Sequence, residues 1–122
     1  MSDTRPAACT IEVSKSATST QVVLRGDANL DAVDALRAAL SEAHARTVAD
    51  GCAEVIVDVR QLEFMNSSCL KKIVAWLESV ETLPPESRYR VRFLSDPAIR
   101  WQKRSLHALE SFSVGFVTVE KS

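Results

Sequence analysis

Glycine is scarce in this 122-residue sequence: Gly26, Gly51 and Gly115 are the only three. A loop that cradles phosphates needs several closely spaced glycines, so P-loop and dinucleotide fingerprints are excluded. Cysteine is sparse and odd in number. Cys9, Cys52 and Cys69 lie far apart, with no CxxC and no histidine at zinc spacing, which excludes a disulfide framework and a zinc knuckle and suits a reducing cytosol. Apolar runs never exceed a few residues, so no membrane-spanning helix is expected. Met1 to Thr10 has one arginine and no apolar stretch, unlike a signal peptide. Charge of one sign is lacking too: the net charge is −1, which gives no footprint for direct nucleic-acid binding. No HExxH or GxSxG pattern occurs, and His44 and His107 are isolated. No metal or cofactor site is expected.

What is present is an ordinary globular composition, 46% hydrophobic and 25% charged, enough for one domain with one core. Through Gln61 the chain holds six Lys/Arg against nine Asp/Glu; beyond it, nine against seven. The basic tilt of the second half is that of solvated surface.

Periodicity gives the elements. Residues 1–8 read as a loose N-terminus, and residues 9–122 as the folded domain. Cys9, Ile11 and Val13 alternate with polar residues as a half-buried strand does. Ala17 to Thr20 reads as a polar turn, and Gln21 to Arg25 as a second strand, ended by Gly26. Asn29 or Asp31 is placed to cap a helix whose apolar positions Val33, Leu36, Leu40 and Ala43 step by three and four, with Gly51 as its stop. Ala53 to Val59, with Val55, Ile56 and Val57 in a row, predicts a strand inside a covered sheet. Arg60 to Met65 reads as a loop. Asn66, Ser67 and Ser68 are three candidate caps for a helix with the face Leu70, Ile73, Val74 and Leu77, which Pro84-Pro85 bars from continuing. Tyr89 to Leu94 is a fourth strand. Ser95 or Asp96 followed by Pro97 predicts the start of a third helix, with Ile99, Gln102, Leu106 and Leu109 along one side. Phe116 to Val119 closes the chain. The expected fold is α/β, a mixed sheet with helices packed on it in the order β-β-α-β-α-β-α-β.

The segment with most to say about function runs from Val55 to Leu70. It reads as a buried strand, a short loop, then a helix opening on two hydroxyls. A helix N-terminus offers unpaired N–H groups and the positive end of the dipole, so a phosphoryl group on a serine there is stabilised without harm to the fold. Equally, serine at such a place serves simply as a cap, and position alone does not separate the two roles. Cys69, about one turn into the helix, admits a thiol nucleophile helped by the dipole or a small packing residue; no resolving cysteine or catalytic histidine accompanies it, which favours packing.

The run Val57-Asp58-Val59, then Phe64-Met65-Asn66-Ser67-Ser68-Cys69-Leu70, resembles the signature of STAS domains, the family of sulphate-transporter tails and anti-sigma factor antagonists. In that family an aliphatic strand ends near Asp and a hydrophobic pair precedes Asp-Ser-Ser/Thr-Gly-Leu. Gly26 followed by Leu30 and Asp31 is similar to its Gly-x-Leu-Asp element, with insertions, and the order of elements matches from about Ile11 to Val119. The resemblance implies a cytoplasmic, bacterial-type protein of signal transduction and transcription regulation, a binding module and not an enzyme. Ser67, ahead of Ser68, would be the phosphorylated residue. Asn66, Ser67, Ser68, Cys69, Leu70 and Lys71 would form the partner-binding surface. Unphosphorylated, the chain would bind an anti-sigma factor that is itself a serine kinase, and a phosphatase would reset it. Three departures stand out. Asn66 replaces the acid, Cys69 replaces the glycine, and the family's C-terminal helix has no counterpart before Ser122. Asn66 and Cys69 favour an alternative in which the same fold is a constitutive subunit of a transporter or signalling assembly, with no phospho-switch, and the missing helix would leave a sheet face or edge open to a partner.

Arg88, Arg90 and Arg92, with Arg100, Lys103 and Arg104, form either a basic patch for an acidic partner or plain solvated faces. Trp76 and Trp101 read as packing residues, and an exposed Trp101 would mark an interface.

Overall fold

The computed structural model describes residues 9–112 and 115–121. The loose N-terminus expected for residues 1–8 lies outside the described residues. Five strands form one sheet in the spatial order β1-β2-β3-β4-β5: β1 (Thr10–Lys15), β2 (Ser19–Ala28), β3 (Glu54–Met65), β4 (Arg90–Ser95) and β5 (Val117–Lys121). β1 pairs antiparallel with β2, and every other pair is parallel. Parallel neighbours need crossovers, and these are α1 (Val33–Asp50), α2 (Ser67–Glu81) and α3 (Arg100–Phe112). This is the mixed α/β domain that the alternation of elements predicts.

The register explains the core. Val22, Val57 and Phe93 lie side by side across three strands, with Val119 beside them on β5. Their face is the buried one, and it shares a single cluster with Leu36, Leu40 and Ala43 of α1, Ile73, Leu77 and Val80 of α2, and Leu106 and Leu109 of α3. The opposite face is only half-buried: Gln21, Ile56 and Arg92 align across it. There Arg92 bridges Glu54 and Glu120, at 3.0 Å each.

Four local expectations are corrected. β2 begins at Ser19, not beyond Thr20. Thr20 is fully buried, its hydroxyl accepting from Thr47 at 2.8 Å, so a polar pair inside the fold had read as a turn. Gly26 does not end β2. It sits at a register shift with φ +90°, and the strand runs on to Ala28. A 3-10 turn, Leu30–Ala32, precedes α1, and neither Asn29 nor Asp31 caps the helix by its side chain. Pro97–Ile99 is a turn, and α3 starts only at Arg100; Asp96 accepts from the Ala98 N–H at 2.9 Å within that turn. By contrast Gly51, at φ +64°, stops α1 as expected.

The largest correction concerns residues 60–65. They continue β3 and do not form a loop. Gln61, Leu62, Phe64 and Met65 pair with Arg25, Gly26, Asp27 and Ala28 through two register shifts. β2 and β3 thus outrun β4, which pairs no further than Asp58 with Leu94. This two-stranded tongue carries the start of α2 at its tip.

Candidate functional site

The start of α2 is fixed by three local bonds. Asn66 has extended backbone, and its Oδ1 accepts from the Ser68 N–H at 2.7 Å, the geometry of an N-cap. The Asn66 N–H donates to Ala28 O at 2.7 Å, tying the helix start to the end of β2. One residue on, Asn29 O accepts from the Cys69 thiol at 3.4 Å. Of the three candidate caps, Asn66 is therefore the one that caps. Ser67, the first helical residue, is exposed, and Ser68 is half-buried. Among the described residues nothing takes the N–H of Ser67 or Cys69, and the first turn of α2 holds no acidic residue. Ser67 thus presents its hydroxyl at a helix end whose positive pole is unopposed.

Around it stand two apolar side chains that the hydrophobic pattern did not single out. Leu30 is 67% exposed and Phe64 is 45% exposed, the one from the turn after β2 and the other from the tip of β3. In the sequence each is placed within the resemblance to STAS domains and sits beside acids, outside any periodic face: Asn29-Leu30-Asp31 and Glu63-Phe64. Lys71 is exposed one turn along α2, and Leu70 is half-buried against the core. Leu30 and Phe64 thus add exposed apolar surface beside a polar helix start.

Cys69 leaves the set of expected contact residues. It is fully buried, so it offers a partner no surface. Burial, with the Asp31 charge adding to it, pushes its thiol above the usual range. This is the reverse of the activation that a nucleophile needs. The thiol instead packs between the β2 end and α2, filling the space that a glycine would leave.

The other constellations resolve mostly into structure. Arg88 donates to Glu81 O and Leu83 O, closing the C-terminal end of α2, and Arg92 is held by two carboxylates. Arg90, Arg100, Lys103 and Arg104 stand exposed. Trp101 is half-buried and donates to Leu62 O at 2.9 Å. Trp76 is buried and donates to the Tyr89 hydroxyl at 2.9 Å, which in turn lies 2.7 Å from His44 Nδ1. His107 is exposed. Among the described residues no three His, Cys, Asp or Glu side chains gather to hold a metal, and no helix is long and apolar enough to cross a membrane.

No family model and no curated protein sequence matches the chain. Solved structures match its fold. An anti-sigma factor antagonist from Mycobacterium paratuberculosis superposes with a TM-score of 0.63 at 21% identity, covering 86% of this chain and 82% of that one. The anti-sigma factor antagonist SpoIIAA in its unphosphorylated form gives 0.61 at 19% identity, over 93% and 88% of the two chains. The Bacillus cell fate determinant SpoIIAA in its phosphorylated form gives 0.58 at 19% identity, over 93% and 91%. The fold is thus that of anti-sigma factor antagonists, as the STAS resemblance implies.

Proposed function

We propose that this chain is a non-catalytic protein-binding module of cytoplasmic signal transduction that acts as an anti-sigma factor antagonist. Its partner surface is the tip of the β2–β3 tongue and the start of α2: Asn66, Ser67, Ser68, Leu70 and Lys71, with Leu30 and Phe64 beside them. Unphosphorylated, it sequesters an anti-sigma factor that is itself a serine kinase. Phosphorylation at Ser67 releases that partner, and a phosphatase resets the chain. The observation that carries this reading is the exposed Ser67 hydroxyl at an N-capped helix start with free N–H groups, next to exposed apolar side chains. The match of fold to a protein solved both with and without phosphate supports it.

Ser67 is preferred over Ser68 because Ser68 is half-buried and its N–H already carries the cap. A phosphoryl group adds roughly −1.5 to −2 of charge at neutral pH. At Ser67 that charge meets the helix N-terminus and Lys71 four residues on, so the fold keeps its shape while the apolar contact surface gains a dianion that a partner must desolvate.

A second reading keeps the fold as a constitutive subunit of a transporter or signalling assembly. Asn66 favours it, since the neutral side chain completes the cap with no charge beside Ser67. One experiment separates the two. Phosphopeptide mass spectrometry of protein from its native cells, in growth and under stress, is paired with capture by wild-type, Ser67→Asp and Ser67→Ala baits. Phosphate on Ser67, and a kinase-type ATPase held by wild type and Ser67→Ala but not by Ser67→Asp, is the expected result. Ser67 unmodified throughout, with a partner indifferent to Ser67→Asp, would establish the constitutive subunit instead.

A further inference from the structure

Away from Ser67, α1 and α2 pack side by side and leave a groove of about 300 Å³ between them, lined by Arg37, Leu40, Ser41 and His44 of α1 and Lys72, Ala75, Trp76 and Ser79 of α2. Its floor is apolar: Leu40 and Trp76 are buried core residues whose outer edges reach it. Its rim is cationic. Lys72 stands on one side and Arg37 on the other, and no carboxylate lines the groove. Arg37 meets Asp34 only at 3.5 Å, between side chains that are both largely exposed, a pair worth little.

The hydrogen bonds beneath the groove fix what His44 shows to it. An indole N–H can only donate, so the Tyr89 oxygen accepts from Trp76. Tyr89 is 2% exposed, so its own proton has no water to go to and must be given to His44 Nδ1, 2.7 Å away. His44 is therefore neutral with its proton on Nε2. Burial, which holds its pKa below the ordinary value, agrees. The remaining N–H makes a third donor at the groove beside Arg37 and Lys72. The Ser79 hydroxyl donates to Ala75 O, so it adds no further donor to the groove.

We propose that this groove docks an acidic amphipathic helix of a partner protein, with carboxylates on Arg37 and Lys72 and an aliphatic side chain on the Leu40 and Trp76 floor. Charge complementarity selects the occupant: two cations and the His44 N–H, with no carboxylate in the lining, want carboxylates, and an apolar floor between two helices suits the apolar stripe of a third. A nucleic acid would meet too few cations here. The inference shares with the proposed function the premise that the chain binds protein, but it does not depend on Ser67. Groove and serine lie on successive turns of α2, so one partner can engage both.

The test is an NMR titration of the full chain with a synthetic helical peptide carrying leucine every third or fourth residue and glutamate between. Saturable shifts of the Trp76 indole N–H and of amides in 37–44 and 72–79 are expected. The double variant Arg37→Gln, Lys72→Gln changes exposed or half-buried side chains and should keep its melting temperature while binding about tenfold more weakly, the effect of losing two rim charges. Ser67→Asp should bind this peptide within about twofold of wild type, because the groove does not include Ser67. Loss with Ser67→Asp would place binding at the α2 start and overturn the groove. So would equal binding of a peptide with lysine in place of glutamate, shifts centred on Arg100 to Arg104, or no saturable shift at all. Binding to phosphatidylglycerol vesicles through the same residues, with no response to the peptide, would replace the protein partner by a membrane surface.

Discussion

Gln102 clasps Leu62 across forty residues of sequence. Its side-chain amide donates to Leu62 O at 3.1 Å and also to Val59 O, while its Oε1 accepts from the Asp96 N–H. Trp101 adds a second donor to the same Leu62 carbonyl. β4 has ended by this point, so these side chains of α3 take the place of the missing strand along one edge of the β2–β3 tongue. The tongue in turn presents the start of α2.

Gln102→Leu keeps the volume and removes the donors. It should cost about 1–3 kcal/mol, the penalty for leaving a buried polar group unpaired, with more than one group at stake. Trp101→Phe should cost less in hydrogen bonding, because Gln102 still holds Leu62. Urea unfolding with an unchanged m-value reads both. A Gln102→Leu midpoint equal to wild type would show that the clasp holds nothing.

This clasp also marks where the sequence stops being legible. Val55 to Val59 reads as a strand from its consecutive apolar residues, although Ile56, on the outer face, is only half-buried. Beyond it the buried residues are Leu62 and Met65, three apart, since two register shifts break the period of two. Their compensating donors lie on another helix, which no local pattern reveals. Ser19 and Thr20 mislead in the same way, being polar yet buried. The start of α2 was legible because capping chemistry is local. Leu30 and Phe64 were not, since exposure of a lone apolar residue is decided by the tertiary fold.

Ile73 tests the packing of α2. It is 1% exposed within the core cluster that joins the sheet to both neighbouring helix faces. Ile73→Ala should destabilise by about 2–5 kcal/mol, and Leu70→Ala, at a half-buried position, by less. Chemical denaturation measures both, and a near-zero shift for Ile73→Ala would contradict the packing of α2 on the sheet.

His44 predicts a pH dependence. Burial depresses its folded pKa, whereas in the unfolded chain it titrates near about 6.5. Below that pH the unfolded state binds the extra proton first, so stability falls as pH drops through this range and levels off below the folded pKa. His44→Gln should remove the fall. The Asp58 contribution is separate: Arg60 hydrogen bonds hold its carboxyl below 3.8, so its stabilisation is present above that pH and is lost lower down. Unfolding curves from weakly alkaline to weakly acid pH, wild type against His44→Gln, should run parallel on the alkaline side and diverge as pH falls below about 6.5. Parallel curves would remove His44 as the cause.

The helix start itself decides whether a charge switch is mechanically possible. Asn66→Ala deletes the cap to Ser68 and should cost about 0.5–2 kcal/mol. Asn66→Asp keeps the acceptor and adds negative charge at the positive end of α2, so it should match wild type or exceed it by about 0.3–1 kcal/mol. Ser67→Asp places a carboxylate in a first turn that has no acid of its own, and for the same reason it should melt at or slightly above the wild-type temperature. A partner lost on Ser67→Asp is then lost through the surface and not through unfolding. Calorimetry of the three variants gives the answer before any partner is in hand. If Ser67→Asp melts well below wild type while Asn66→Asp does not, the position cannot carry a phosphate without disturbing the fold, and the switch reading fails on physical grounds.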